Sequence, residues 1–256
     1  MIELSLENQM TLFDFTRPMV SVDKPIRLIE TFAGYGSQAM ALRNLGADFE
    51  HYRVYEIDKA AMDSYNAIHG TNFEPTDICD VKGVDIGVED KERFTYLLTY
   101  SFPCTDISIA GRMAGMSEDS GTRSSLLWQI KRILEELNET DSLPQILLME
   151  NVPAIHSEDN KPDFHKWLSF LEKLGYSTYV QDLNAVDFGV AQNRERTFAV
   201  SILGNYNYKF PTTMDLNKCM EDYFEDLTEE QALTYVVKSE KALNLLVELD
   251  EKGELK

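Results

Sequence analysis

Apolar and polar positions run along the chain in alternating blocks. IRLIETF (26–32) is a short apolar run that leads into Gly34 and Gly36, and SQAMALRNLGA then spaces Ala39, Leu42 and Leu45 at helical intervals until Gly46. The pattern predicts strand, tight glycine turn, helix. HYRVYEID (51–58) follows as a strand ending on two acids, and KAAMDSYNAIHG as a helix that Gly70 closes. A strand is predicted from Phe94 to Phe102, a helix over RSSLLWQIKRILEEL, a strand at QILLMENV, a helix at FHKWLSFLEKLG and a late strand at RTFAVSIL. Strands alternating with helices predict an α/β fold: a doubly wound, mostly parallel sheet with helices on both faces.

Composition narrows the class. The 256 residues, 43% hydrophobic and 27% charged, suffice for one large core, or for one domain plus part of another. Cys79, Cys104 and Cys219 are too few and too scattered for a disulfide framework, and with no CxxC or Cys/His cluster no metal is expected. Cys79 and Cys219 read by default as buried structural thiols. MIELSLENQMTLFDF carries acids where a signal peptide carries bases, and no apolar run approaches membrane-spanning length. A soluble cytoplasmic chain with reduced thiols is expected. The formal charge of −20 opposes broad attraction to a polyanion.

In a doubly wound sheet, ligands bind beyond the carboxyl ends of the strands, where strand order reverses. FAGYGS lets a backbone approach a ligand there, and the acids Glu56 and Asp58 suit the two hydroxyls of a ribose. A simple strand-to-helix turn reads the same way. A nicotinamide dinucleotide site also fits, except that Ser37, Gln38 and Ala39 follow Gly36 and the third glycine is missing. Cys104 follows Pro103 at the end of its predicted strand, ahead of the small polar loop CTDISIAGRMAGMSEDSGTRSS. A thiol presented on such a loop, rather than packed in the core, can act as a nucleophile. LLMENVP ends in Glu150 and Asn151 at the same sheet edge. In AQNRERTF, Gln192, Arg194 and Arg196 alternate, so in an extended segment they point one way.

The ordered motifs FAGYGS, YEID, TDI, FPCTDIS, GTRSSLL, MENV and QNRER, over residues 26 to about 211, resemble the DNA cytosine-5 methyltransferases. The resemblance implies a Rossmann-like fold that binds S-adenosyl-L-methionine, and duplex DNA as substrate with the target cytosine flipped out. It implies Cys104 as the thiolate that adds to carbon 6, Glu150 at ring nitrogen 3 and the exocyclic amine, and Arg194 at the base carbonyl. Gln192 and Arg196 would help to hold nucleotide and loop, and Asn151 would fix Pro103 and the strand ends. For the cofactor, Phe32 would pack on the adenine, with Asp77 and Ile78 of TDI beside it. Gly34 and Gly36 would admit the methionine part, and Glu56 would bind the ribose. Asp58 reads equally as a solvent-facing charge. Glu30 stands where the family usually has Asp, Ser37 where a third glycine is common, and Thr105 where Gln commonly follows the cysteine.

The expected organisation is an N-terminal extension (1–25), a catalytic domain (26–211) and an acidic segment (212–256) that opens a target-recognition region absent or carried by a second chain. Residues 215–256 hold 12 acids and 5 bases, with SEKALNLLVEL as a helix. A bacterial or phage origin fits such an enzyme. The alternatives are a tRNA cytosine-5 methyltransferase and a non-catalytic subunit that needs a recognition partner.

Overall fold

A computed structural model describes residues 17–104, 116–117, 122–218 and 220–253. The chain divides into one compact unit that ends at Asp215 and a second that starts at Leu216. In the first, chain order runs β1 (Ile26–Thr31), α1 (Ser37–Asn44), β2 (Phe49–Tyr55), α2 (Lys59–His69), α3 (Gly83–Ile86), β3 (Thr95–Tyr100), α4 (Leu127–Glu139), β4 (Ile146–Asn151), α5 (Lys161–Lys173), β5 (Tyr176–Asn184) and β6 (Glu195–Leu203). The strands form one sheet in the order β2-β1-β3-β4-β6-β5. β2, β1, β3 and β4 pair in parallel, whereas β6 runs antiparallel to both β4 and β5. β1 has neighbours on both sides, so strand order reverses between β1 and β3, at the switch point where such sheets bind ligands.

Successive strand residues face opposite ways, and β1 shows what each face meets. Ile29 joins the larger core cluster with Tyr96, Leu98, Leu147, Met149 and the apolar stripes of α4 and α5. Its neighbour Glu30 faces α2 and accepts a hydrogen bond from Tyr65, beside a smaller cluster of Ala33, Val54, Met62 and Tyr65. Helices therefore cover both faces, as the apolar pattern predicts.

Three local readings change. β5 was not predicted, and the late strand β6 reverses direction rather than extending the parallel set. β2 ends at Tyr55, so Glu56 and Asp58 lie beyond it. Asp58 caps α2, its Oδ1 accepting from the amides of Ala60 at 2.7 Å and Ala61 at 3.0 Å. The described part of the N-terminal extension is tied to the first unit: the amide of Val20 donates to Asn207, and that of Asn207 to Pro18.

The second unit holds α6 (Glu229–Tyr235) and α7 (Glu240–Glu251), capped by Thr228 and Ser239, with no buried residue in either helix. α7 is the helix expected from SEKALNLLVEL. Among the described residues, no helix is long and apolar enough to cross a membrane.

Candidate active site

The thiol of Cys104 lies four residues past the end of β3, next to the carboxyl end of β4. Phe102 before it is buried, while Pro103 and Cys104 are half-buried and Cys104 packs against the core. Sequence reading set loop against core; the structure puts the thiol at their boundary. Two side chains fix the backbone that carries it. The amide of buried Asn151 donates to the Phe102 carbonyl at 3.0 Å, and Ser124 Oγ to the Pro103 carbonyl at 2.8 Å. Asn151 therefore joins β4 to the segment after β3, and Ser124, in the GTRSSLL motif, joins it to the start of the α4 region. Residues 105–115, including Thr105, fall outside the described residues. Trp128 of α4 donates its indole N–H to the carbonyl of Met116, a fully buried residue of the same loop.

Glu150 is the last-but-one residue of β4. β6 is antiparallel to β4, with Glu150 opposite Phe198, so the beginning of β6 lies at this edge. Arg196, two residues before Phe198, shares the face of Glu150, and its Nε lies 3.1 Å from Glu150 Oε1. The alternation of Gln192, Arg194 and Arg196 was expected to set all three on one side of an extended run. The strand begins only at Glu195, which leaves Gln192 and Arg194 in the β5–β6 connection with exposed side chains. Asn184, at the end of β5, shapes that connection: its Oδ1 accepts from the amide of Arg194 at 2.9 Å and its Nδ2 donates to Asn193 at 2.6 Å. Arg196 was expected only to help, and the structure makes it the partner of Glu150.

The second cluster stands where β1 and β2 end. Phe32 has φ 55, a left-handed backbone that costs free energy in a residue with a Cβ, and Gly34 and Gly36 follow at φ 56 and φ 83. Glu56 braces this turn, one oxygen accepting from the Gly34 amide and the other from the Asp58 amide, each at 2.9 Å. A Cβ placed on Gly34 would meet nothing within 4 Å, so the turn opens on free space. Tyr35 at 58% and Ile57 at 65% exposure stand at its rim. Ile57 was missed by sequence reasoning, although an apolar residue between Glu56 and Asp58 is the visible signal. Ile78 is buried, and Asp77 turns an oxygen to the Cys79 amide at 2.9 Å. Cys79, expected in the core, is exposed. Its thiol is pushed up by partial burial and by the Asp77 carboxylate. Cys219 falls outside the described residues.

Open space at a glycine, a carboxylate held by backbone amides and the exposed side chains of Tyr35 and Ile57 leave this edge accessible to a ligand. Gln38 bridges the two clusters, its Nε2 donating to Ser101 Oγ at 3.3 Å. Among the described residues, no group of His, Cys, Asp and Glu could hold a metal ion.

The fold is a Rossmann-like, mostly parallel sheet whose ligand edge brings a thiol and a carboxylate to the same side as the glycine turn. The sequence profile of the family described as C-5 cytosine-specific DNA methylase matches residues 26–252, and the chain belongs to that family. It is 35% identical over 254 residues to type II methyltransferase M2.ScrFI of Lactococcus lactis subsp. cremoris, covering 80% of this chain and 69% of that one. To the orphan methyltransferase M.SssI of Spiroplasma monobiae it is 34% identical over 235 residues, covering 72% and 61%. The solved structure of S. pombe Dnmt2 methyltransferase superposes with a TM-score of 0.64 at 21% identity, over 86% of this chain and 65% of that one. The chain thus spans roughly three fifths to two thirds of these proteins' lengths.

Proposed function

We propose that this chain is the catalytic portion of a DNA cytosine-5 methyltransferase, with Cys104 as nucleophile, Glu150 and Arg196 at the base, and S-adenosyl-L-methionine at the Phe32–Gly36 turn. The observation that carries this reading is the meeting of three strand ends at one sheet edge: the segment after β3 with Cys104, β4 with Glu150, and β6 with Arg196 against Glu150.

Carbon 5 of cytosine is a poor nucleophile, so the Cys104 thiolate first adds to carbon 6. Electron density moves into the ring, where Glu150 delivers a proton to nitrogen 3, to be returned when the ring is restored, and accepts a hydrogen bond from the exocyclic amine. Carbon 5, now part of an enamine, can take the methyl group that S-adenosyl-L-methionine supplies when bound. Loss of the carbon-5 proton and expulsion of the Cys104 thiolate restore the aromatic ring and free the enzyme. Arg196 keeps Glu150 at the strand edge during the addition, and Arg194, exposed on the β5–β6 connection, reaches the base carbonyl. Carbon 6 is shielded inside a duplex, so the base is flipped out to reach the thiol. Glu56 takes the ribose hydroxyls, Phe32 and Ile57 flank the adenine with Asp77 and Ile78 at its edge, and Gly34 leaves room for the amino-acid end.

Sequence-specific DNA reading belongs, in this proposal, to a recognition region of the same chain or of a second one. The acidic residues 215–256 favour neither phosphates nor base edges.

Duplex DNA containing 5-fluorocytosine tests the chemistry, because fluorine cannot leave carbon 5 as a proton does. With the recognition region supplied, the wild-type protein should give a covalent complex that survives denaturation. Cys104→Ser should give none while binding cofactor as before. A trapped complex in Cys104→Ser, or its absence from an active wild type, refutes the assignment.

A further inference from the structure

The turn proposed to hold the cofactor is gripped from behind by a histidine to which no motif assigns a role. His69 ends α2, and its Nε2 lies 3.0 Å from the carbonyl oxygen of Tyr35, in the middle of the turn. A carbonyl only accepts, so the proton is on Nε2. Both the neutral Nε2–H ring and the imidazolium satisfy this, so the bond does not depend on the charge of the ring.

The His69 ring is itself fixed. Its centroid is 4.5 Å from that of Tyr65 and 4.9 Å from that of His51. Fully buried Tyr65 donates to Glu30 Oε2 at 2.5 Å and lies 2.6 Å from His51 Nδ1, so one hydrogen-bonded chain runs from half-buried His51 on β2 through α2 to β1. Gly36 belongs to the same contact: a Cβ there would collide with the His69 ring and come within 2.6 Å of Tyr65. The Tyr35 peptide is thus drawn onto α2 while its side chain stays outside and Gly34 faces the open space.

We infer that His69 is a positioning residue for the cofactor turn, latching the Tyr35 carbonyl to α2 so that the left-handed conformations of Gly34 and Gly36 are set before the cofactor arrives. Preorganisation of this kind improves affinity because ordering is not left to the binding step. The inference rests on the cofactor reading above.

His69→Phe keeps a ring and removes the donor, whereas His69→Gln restores a donor without the ring. Amide hydrogen exchange at Tyr35–Ser37, measured without cofactor, should speed up in H69F and return towards wild type in H69Q. S-adenosyl-L-methionine affinity by calorimetry should fall about three- to tenfold in H69F, the value of one net hydrogen bond, with recovery in H69Q. Thermal melts accompany both variants, and if H69F does not fold, H69A against H69Q makes the same comparison. Exchange and affinity unchanged in H69F, or H69Q as impaired as H69F with the fold intact, would overturn the latch. A wild type that binds no S-adenosyl-L-methionine would overturn the cofactor reading instead, and the exchange measurement alone would then decide the latch.

Discussion

Glu30 is a carboxylic acid with no exposed surface, and its burial pushes its pKa from 4.5 to about 7, against the opposing pull of the Tyr65 hydroxyl and the Ala39 amide. Between those two values the folded chain holds a proton that the unfolded chain has released, so the Glu30 contribution to stability falls as pH rises through this window and is flat above it. The loss is on the order of 3 kcal/mol. His51 acts in the opposite sense, because burial lowers its pKa and favours the neutral ring. Comparing wild type with Glu30→Gln isolates the acid: urea unfolding at pH 5 and pH 7.5 should give a difference between the proteins that shifts towards the glutamine variant at the higher pH. Constancy of that difference would exclude a raised Glu30. Glu56 carries a second prediction. Glu56→Ala should weaken S-adenosyl-L-methionine binding by about tenfold or more, since the charge-assisted hydrogen bonds proposed to the ribose would be lost along with the brace on Gly34. Unchanged calorimetric affinity in a folded variant would move the ribose contact elsewhere.

Strand ends are where the elements meet, and Asn151 is the joint most open to test. Asn151→Ala leaves the Phe102 carbonyl without the donor that the structure gives it, a loss of about 1–3 kcal/mol for a buried acceptor, and should depress methyl transfer by loosening Cys104. Denaturant unfolding and turnover, measured together, check both halves. Asp58→Ala should cost about 1 kcal/mol through its cap on α2. The parallel strands and their helices were legible in the sequence because each buries an apolar run or stripe. β5 was not: YSTYVQDLN has polar side chains on both sides, as an edge strand with few fully buried residues permits. Cys104 and Glu150 were legible because a thiol and an acid at strand ends break an apolar pattern. The reading of Gln192, Arg194 and Arg196 as one extended run changes for a specific reason: alternation holds only where the chain is extended, and it becomes extended at Glu195. His69 left no signal, since its partner Tyr35 lies 34 residues away across the α1–β2 unit.

The whole molecule carries 24 Lys and Arg against 44 Asp and Glu. Residues 1–256 alone should therefore bind duplex DNA weakly and without sequence preference, with a shallow dependence on salt because few phosphates are neutralised. Fluorescence anisotropy at two salt concentrations checks this, and a steep salt slope with tight, site-specific binding would place a DNA-reading surface within these residues. In the sheet, β2, β1 and β3 carry the glycine turn and lead to the thiol, whereas β5 and β6, paired along their length, bring Arg196 to Glu150. β5 is the sheet edge, but β6 lies inside the sheet, paired to β4 from Thr197 to Ile202 with Thr197, Ala199 and Ser201 fully buried. Arg196 is thus mounted next to a seam that cannot open without exposing the core. A substitution that weakens the β4–β6 seam should therefore cost stability before it costs turnover.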